Sequence, residues 1–232
     1  NKVKDFVYVR ANFETGGNMI YLFDKLLSVQ KAPGASYTMF GLPYSQYFKP
    51  DFDFRYFNIL GNKHSMVYRF YGGIGIPYGN STLLPFEKAF FTGGANGMRG
   101  WKMYSLGPGT YTNVNGDFNY NQIGDIQLEL NVEYRFPVYQ WIRGAAFVDA
   151  GNIWLLQNSK DLPGGKFTFP GFFSQVALDG GIGIRLDFDF FIFRLDPALP
   201  LYIPSNPKSN QWIFNHMQIK DIMWNFGIGY PF

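Results

Sequence analysis

The sequence contains no cysteine among its 232 residues. This absence excludes disulfide frameworks, thiol nucleophiles and cysteine-ligated metal sites. Long apolar runs are also missing, because Lys, Arg, Asp or Asn interrupts every such run before the roughly 18 to 20 residues that a transmembrane helix requires. A disulfide-stabilised fold, a thiol-based redox protein and a helical membrane protein are therefore excluded.

Clustered charge is equally scarce. The formal net charge is +3, and charged residues alternate with apolar ones, so the sequence has no basic stripe for nucleic acid. The two histidines, His64 and His216, lack metal-ligand spacing, and no serine lies in a G-x-S-x-G turn. The sequence therefore predicts a protein that is not an enzyme, with no catalytic residue, no metal, no cofactor and no nucleic-acid partner.

Aromatic residues and glycine are abundant instead, at 20% of the chain and 27 residues respectively. Over residues 125–136, apolar side chains alternate strictly with polar or charged ones. This period of two indicates a β-strand with one apolar and one charged face. Seven further segments show related patterns, so the sequence predicts eight strands, at residues 7–13, 48–56, 66–76, 125–136, 141–154, 176–188, 190–201 and 224–232.

The connections between these strands alternate in length, with short turns near residues 61–64, 137–140 and 187–189 and long connections over 15–46, 79–122, 157–172 and 202–219. Alternating strands alone would also suit a soluble sandwich or barrel. Short turns at one end, long loops at the other and aromatic residues near the strand ends favour an outer-membrane barrel. The predicted fold class is all-β, an antiparallel transmembrane β-barrel with its charges inside.

One long connection carries apolar residues at helical spacing over residues 18–30. This spacing predicts a short helix in an external loop. We expect the helix to pack on the rim of the barrel.

The last predicted strand, residues 224–232, resembles the β-signal by which the outer-membrane assembly machinery recognises its clients. Alternate positions are aromatic or Ile, and the strand ends in Phe. The residues that carry this resemblance are Trp224, Phe226, Ile228, Tyr230 and Phe232. The alternative is an ordinary last strand that happens to end in Phe.

A second resemblance lies in the long connection 79–122, where Gly93 and Gly94 precede Arg99, Gly100 and Trp101. This segment resembles the R-G-aromatic loop motif of the BamA/TamA outer-membrane assembly and translocation superfamily, the bacterial surface antigen family. The resemblance implies that the loop folds back into the barrel lumen. It also implies that the arginine contacts acidic residues on the two strands that follow.

The sequence supplies both acidic partners. Glu133 lies in the first strand after the loop, and Asp149 lies in residues 147–151, which resemble the family's F-x-D-x-G motif. Both carboxylates fall on the predicted inner face, and a buried guanidinium needs such acceptors because an unpaired buried charge is costly. The alternative is a solvated Arg99, with Glu133 and Asp149 merely hydrating the lumen.

The resemblance also implies an architecture. Five predicted strands follow the loop, as in the family's sixteen-stranded barrel, so the eight strands resemble its C-terminal half. We expect residues 1–232 to form a single barrel or half-barrel domain, without a POTRA domain or signal peptide, as a processed, truncated or excised chain. Eight strands that close alone, a pair of copies, and half of a larger barrel all stay open.

The function that the resemblance implies is insertion or translocation of other polypeptides at the bacterial outer membrane, through a seam near the C-terminal strand. The implied partners are outer-membrane lipids or lipopolysaccharide, client outer-membrane or secreted polypeptides, and a periplasmic or inner-membrane partner bound through upstream domains. General likeness at residues 93–96 and 229–232 favours the TamA-like branch. A two-partner-type polypeptide secretion pore and a passive structural barrel are the alternatives.

Overall fold

A computed structural model describes residues 4–61, 63–112, 122–188, 190–214 and 217–232. The strands in these ranges are β1 (Phe6–Gly16), β2 (Thr38–Met39), β3 (Leu42–Pro43), β4 (Tyr47–Gly61), β5 (His64–Ile74), β6 (Ile76–Pro77), β7 (Ile126–Tyr139), β8 (Ile142–Trp154), β9 (Ala177–Asp187), β10 (Ile192–Tyr202) and β11 (Met223–Ile228). The helices are α1 (Asn18–Leu26) and α2 (Phe172–Gln175), with 3-10 turns at Phe86–Lys88, Phe169–Gly171, Lys208–Asn210 and Ile219–Asp221.

The longer strands form one antiparallel sheet in the order β1-β4-β5-β7-β8-β9-β10-β11, with β6 paired to β4. The short strands β2 and β3 pair with each other outside this sheet. Each long strand neighbours the next long strand in the chain, as in a meander. The predicted all-β antiparallel architecture is thus confirmed, and within the described ranges β1 and β11 are the edge strands.

The two faces of the sheet differ in chemistry as the alternation predicts. On β7, Glu129, Asn131 and Glu133 are buried, whereas Leu130 and Val132 between them are exposed by 55% and 37%. The buried face is therefore polar and the exposed face apolar, the reverse of a water-soluble sheet. This arrangement is typical of a membrane wall whose outer face meets hydrocarbon and whose inner face borders a polar lumen.

The connections confirm the predicted asymmetry. Short turns join β4 to β5, β7 to β8 and β9 to β10 at one end of the sheet, and the long connections lie at the other end. The longest connection, residues 78–125, is called the lumen loop below, because its described part lies against the inner face. There, Met98, Trp101 and Leu106 form a buried cluster with Ala177 of β9.

The helix predicted over residues 18–30 is shorter than expected. It ends at Leu26, and Ser28 beyond it has a positive φ of 54°. No residue of α1 is buried, and Leu22 and Phe23 are exposed by 53% and 57%.

The helix is nevertheless attached near the loop end of the sheet, because Asn18 accepts hydrogen bonds from Gln46 Nε2 at 3.2 Å and from Tyr78 Oη at 2.6 Å. Its packing on the rim stays a prediction. In the part of the chain that the structure describes, no helix is long and apolar enough to cross a membrane.

The last strand is also shorter than predicted. β11 ends at Ile228, and Gly229 has a positive φ of 84°, a conformation that side-chain-bearing residues rarely adopt. The Gly229 N–H donates to the Ile192 carbonyl at 2.7 Å, and Pro231 has no N–H with which to continue a ladder. The prediction that the strand continues to Phe232 is wrong for its last four residues, because the chain turns inward at Gly229.

Candidate functional site

The tip of the lumen loop is a tight turn that depends on glycine. The Gly94 N–H donates to the Trp101 carbonyl at 2.7 Å. Gly93 has a positive φ of 101°, and a Cβ at this position would collide with the carbonyl oxygen of Lys102. The turn therefore requires Gly93, and it presents Arg99 to the inner wall.

Arg99 is fully buried between β7 and β8. Its Nη1 donates to Glu133 Oε2 at 2.6 Å, and its Nε and Nη2 donate to the two oxygens of Asp149 at 2.8 and 2.9 Å. The guanidinium thus meets Asp149 in the bidentate geometry that gives strong, directional pairing. It also lies 3.4 Å from the centre of the Phe147 ring. The structure brings the predicted arginine and both predicted carboxylates together.

Further charges surround Arg99. Glu133 also accepts from Arg135 Nε at 2.7 Å and from Arg185 Nη2 at 3.1 Å. Asp196 on β10 accepts from Arg185 and, at 2.8 Å, from Arg194. These groups are buried, so each charge requires an opposite partner to offset its desolvation. The lumen network, as it is called below, consists of Arg99, Arg135, Arg185, Arg194, Glu133, Asp149 and Asp196.

Side chains of the wall also hold the backbone of the loop tip. The carbonyls of Ala95, Gly97 and Arg99 accept hydrogen bonds from Arg194 (2.9 Å), Asn131 (3.1 Å) and Asn225 (2.9 Å) respectively. Buried carbonyls need such partners, because inside the wall they have lost contact with bulk water. The donors come from β10, β7 and β11, so the loop tip is bound to three separate strands.

Gly100 and Trp101, which follow Arg99 in the predicted motif, make different kinds of contact. The Gly100 N–H donates to Asp179 Oδ2 on β9 at 2.8 Å, and a Cβ on Gly100 would lie 2.6 Å from the Asp179 Cβ. Trp101 instead packs with Met98 and Leu106 in the buried apolar cluster. The motif therefore combines a charge, a close backbone approach and an apolar anchor.

The residues of the predicted β-signal divide between the two faces. Trp224, Phe226 and Ile228 point outward and are exposed by 56%, 65% and 78%. On the inner side, the centre of the Tyr230 ring lies 4.0 Å from the Arg135 guanidinium. Arg135 Nη2 also donates to the carbonyl of the buried Phe232 at 3.3 Å. The five residues thus do not share one face, and their role as a signal stays a prediction.

Four of the loop contacts described above involve residues that were not among the predicted site residues, namely Arg194, Asn131, Asp179 and Asn225. Asn131 and Asp179 lie at inner positions of their strands, and the alternation was the signal that could have suggested them. Their partners are backbone groups of the loop, which a side-chain pattern does not reveal. Asn225 was hidden between Trp224 and Phe226 of the predicted β-signal.

His64 is not part of the lumen network. His64 Nδ1 lies 2.7 Å from Tyr134 Oη, and His216 falls outside the described residues. Among the residues that the structure describes, no cluster of at least three His, Cys, Asp or Glu side chains could hold a metal ion.

An antiparallel wall with an apolar outer face, a charged inner face and a loop bound inside defines an outer-membrane protein of the β-barrel class. Residues 34–232 match the Omp85 superfamily domain, and the chain therefore belongs to the Omp85 superfamily. It is 29% identical over 103 residues to the outer membrane protein assembly factor BamA of Neisseria meningitidis serogroup B (strain ATCC BAA-335 / MC58). This alignment covers 40% of the chain and 13% of BamA.

The fold is also similar to that of a BamA from Haemophilus ducreyi, solved by crystallography without POTRA domains 1-3. The TM-score is 0.53 at 17% identity, and the match covers 78% of this chain and 34% of that chain. The chain thus spans a minor part of the length of both relatives. The predicted superfamily and outer-membrane location in Gram-negative bacteria are confirmed, whereas the TamA-like branch stays a prediction.

Proposed function

We propose that this chain forms the membrane wall of a factor that inserts other polypeptides into the outer membrane or translocates them. The observation that carries the proposal is the short last strand. β11 has six residues and pairs with residues 193–198 of β10, whereas β10 continues to Tyr202. Within the described ranges, the sheet therefore ends in a strand that covers only part of its neighbour.

Beyond β11, residues 201–203 at the end of β10 pair with residues 211–213. Within the described ranges, the backbone N–H and C=O groups without a strand partner on this side of the sheet are therefore those on the free edge of β11. Hydrocarbon offers them no hydrogen bonds, so each unpaired group is costly there. An incoming strand of a client satisfies these groups by adding to the sheet. The outward side chains of Trp224, Phe226 and Ile228 supply an apolar surface beside this edge, which suits a client strand that enters from the lipid side.

The lumen loop supports this role by bracing the rest of the wall. Arg99 joins the loop to β7 and β8 through Glu133 and Asp149, while Asn225 is the loop's contact with β11. Among the described residues, the loop thus meets β7, β8 and β10 through charged side chains and β11 through the neutral amide of Asn225. Strand addition requires no catalytic residue and no cofactor, because the backbone hydrogen bonds supply the free energy.

The absence of cysteine in this chain allows a direct test by disulfide cross-linking. In the full-length protein, Ile228→Cys places a thiol at the outward face of β11. Ile182→Cys is the matched control, since it replaces another outward isoleucine, 68% exposed, in the middle of the sheet on β9. A client barrel precursor with one cysteine in its last strand is then expressed beside each variant. We expect a cross-link at position 228 and none at position 182.

Two other outcomes would contradict the proposed seam. Equal cross-linking at both positions, or none at position 228 in correctly folded protein, would favour a passive structural barrel. A third variant, Asn96→Cys on the exposed part of the lumen loop, separates the secretion pore from the insertase. Client cross-links confined to position 96 would mean that polypeptide passes through the lumen rather than entering at the seam.

A further inference from the structure

A groove with a cavity volume of about 590 Å³ lies on the outer face of the sheet, at the end where the long connections are. Leu128, Leu130, Ala150 and Leu178, all outward residues of β7, β8 and β9, line its floor. Phe173 and Trp212, which come from two different long connections, line its upper edge. The volume falls in the range of small-molecule sites, about 300 to 1,000 Å³.

The depth of the groove comes from a small side chain between two large ones. Ala150 on β8 stands opposite Leu130 of β7 on one side and Leu178 of β9 on the other. Because the alanine side chain is short, the outer surface of the wall dips between the two leucines. The dip is open towards the membrane, whose hydrocarbon contacts the same outward positions along the sheet.

The upper edge of the groove is fixed to the wall. Trp154 is fully buried beneath Phe172, and its Nε1 donates to Gln175 Oε1 at 2.8 Å. Tyr202 Oη donates to the Ser174 carbonyl at 3.0 Å, which attaches the segment around α2 to β10. These contacts hold the loop against the outer face instead of over the lumen. Trp154 and Tyr202, two aromatic residues near the ends of their strands, are buried under this loop.

The exposed aromatic residues around the groove indicate what surrounds it. Phe173 is exposed by 86% and Trp212 by 53%. A large apolar ring in water is unfavourable, whereas aromatic residues are enriched where hydrocarbon meets the headgroups. The floor presents no side-chain charge, because the carboxylate of Glu129 is turned inward to Thr92 and Gln127.

We propose that this groove binds an acyl chain of lipopolysaccharide from the external leaflet of the outer membrane. The floor is continuous with the lipid-facing wall, and long loops mark the external end of outer-membrane barrels. A polypeptide is a poor occupant, because β7, β8 and β9 each pair with a neighbour on both sides and leave no edge for another strand. A saturated chain needs no hydrogen bond and fills the space by contact alone.

The test uses the full-length protein in detergent, purified lipid A as the probe, and native mass spectrometry to count retained lipid. Ala150→Phe fills the dip with a larger side chain. Val148→Phe is the matched control, because Val148 is an outward residue of the same strand, 49% exposed, that does not line the groove. We expect Ala150→Phe to lower the affinity for lipid A about tenfold or more, a change that the bound fraction reports directly, and Val148→Phe to leave it unchanged.

A second variant, Trp212→Ala, removes a ring of the upper edge that lies 5.0 Å from the Tyr202 ring of β10, and it should also weaken lipid A binding. The shift in gel mobility on heating checks that each variant is folded. The proposal is overturned if the wild-type protein retains no lipid A. It is equally overturned if folded Ala150→Phe and Trp212→Ala both retain as much lipid A as Val148→Phe does.

Discussion

Gly100 donates its backbone N–H to Asp179 at 2.8 Å, and the two residues are so close that a Cβ on Gly100 would lie 2.6 Å from the Asp179 Cβ. The glycine between Arg99 and Trp101 is therefore a spacing requirement. Its missing side chain lets the lumen loop approach β9 closely enough for the arginine beside it to reach β7 and β8.

Replacing Gly100 by alanine should destabilise the docked loop, because the new methyl group meets the backbone nitrogen of Pro200 as well as Asp179. Overpacking of this kind costs about 1–3 kcal/mol. Urea titration of the folded protein, followed by gel mobility, measures the loss. Gly72→Ala is the control, since its Cβ would meet the flexible end of Leu128 on the outer face at 3.2 Å. Equal losses for both variants would refute the spacing argument.

Arg99→Gln should cause a much larger loss of stability, because Glu133 and Asp149 would stay buried without this cation. Breaking a buried pair from one side costs about 3–5 kcal/mol. Arg143→Gln is the control, since Arg143 pairs with Asp187 at 2.7 Å near a turn where both side chains reach solvent. A partly exposed pair contributes roughly 0–1 kcal/mol. Similar urea midpoints for the two variants would show that the burial of Arg99 does not increase its contribution to the free energy of unfolding.

The bend at Gly229 predicts a contrast between two substitutions. No atom lies within 4 Å of a Cβ built on Gly229, so only its positive φ opposes a side chain. Asparagine tolerates this conformation, whereas a β-branched residue does not. Gly229→Val should lower the free energy of unfolding by about 1–2 kcal/mol, and Gly229→Asn by clearly less. If valine and asparagine behave alike in urea titrations, the positive φ is not what limits this position.

Asn225→Ala should loosen the loop locally. The variant removes the side-chain donor to the carbonyls of Arg99 and Asp196, at 2.9 and 3.1 Å, and an unsatisfied buried group costs about 1–3 kcal/mol. Hydrogen exchange measured by mass spectrometry should show faster exchange in peptides over residues 92–104 and unchanged exchange in β7 and β8. Asn158→Ala, in an exposed part of a long connection, is the control. Unchanged exchange in the loop would mean that Asn225 does not hold it.

The strands could be predicted from the sequence because a wall between lipid and lumen imposes a strict period of two. Glu129, Asn131 and Glu133 mark the inner face of β7. A strand places them on the opposite face from Leu130 and Val132, as the structure shows. The ion pairs of Arg99 were implied by the resemblance of the loop motif to the superfamily, while the alternation placed Glu133 and Asp149 on the inner face. Acidic and basic residues can be read directly from the sequence, so candidate ion pairs between them can be predicted.

The contacts that the sequence did not reveal depend on backbone positions. Nothing in the residue types indicates that Asn225 reaches the carbonyl of Arg99, because any carbonyl accepts equally well. The bend at Gly229 had a local signal in the glycine and the proline two residues later, but the regular alternation through Phe232 outweighed it. The exposure of α1 could not be predicted either, because helical spacing does not say what covers a helix.

The contacts of the loop tip also set the order in which this wall can be completed. Asn131 and Gly97 are 34 residues apart in the chain, whereas Arg99 and Asn225 are 126 apart. Closing the longer separation costs more chain entropy, and it requires a donor that arrives with the last strand. The loop can therefore settle on β7 and β8 early, but it is fully secured only after β11 has joined β10.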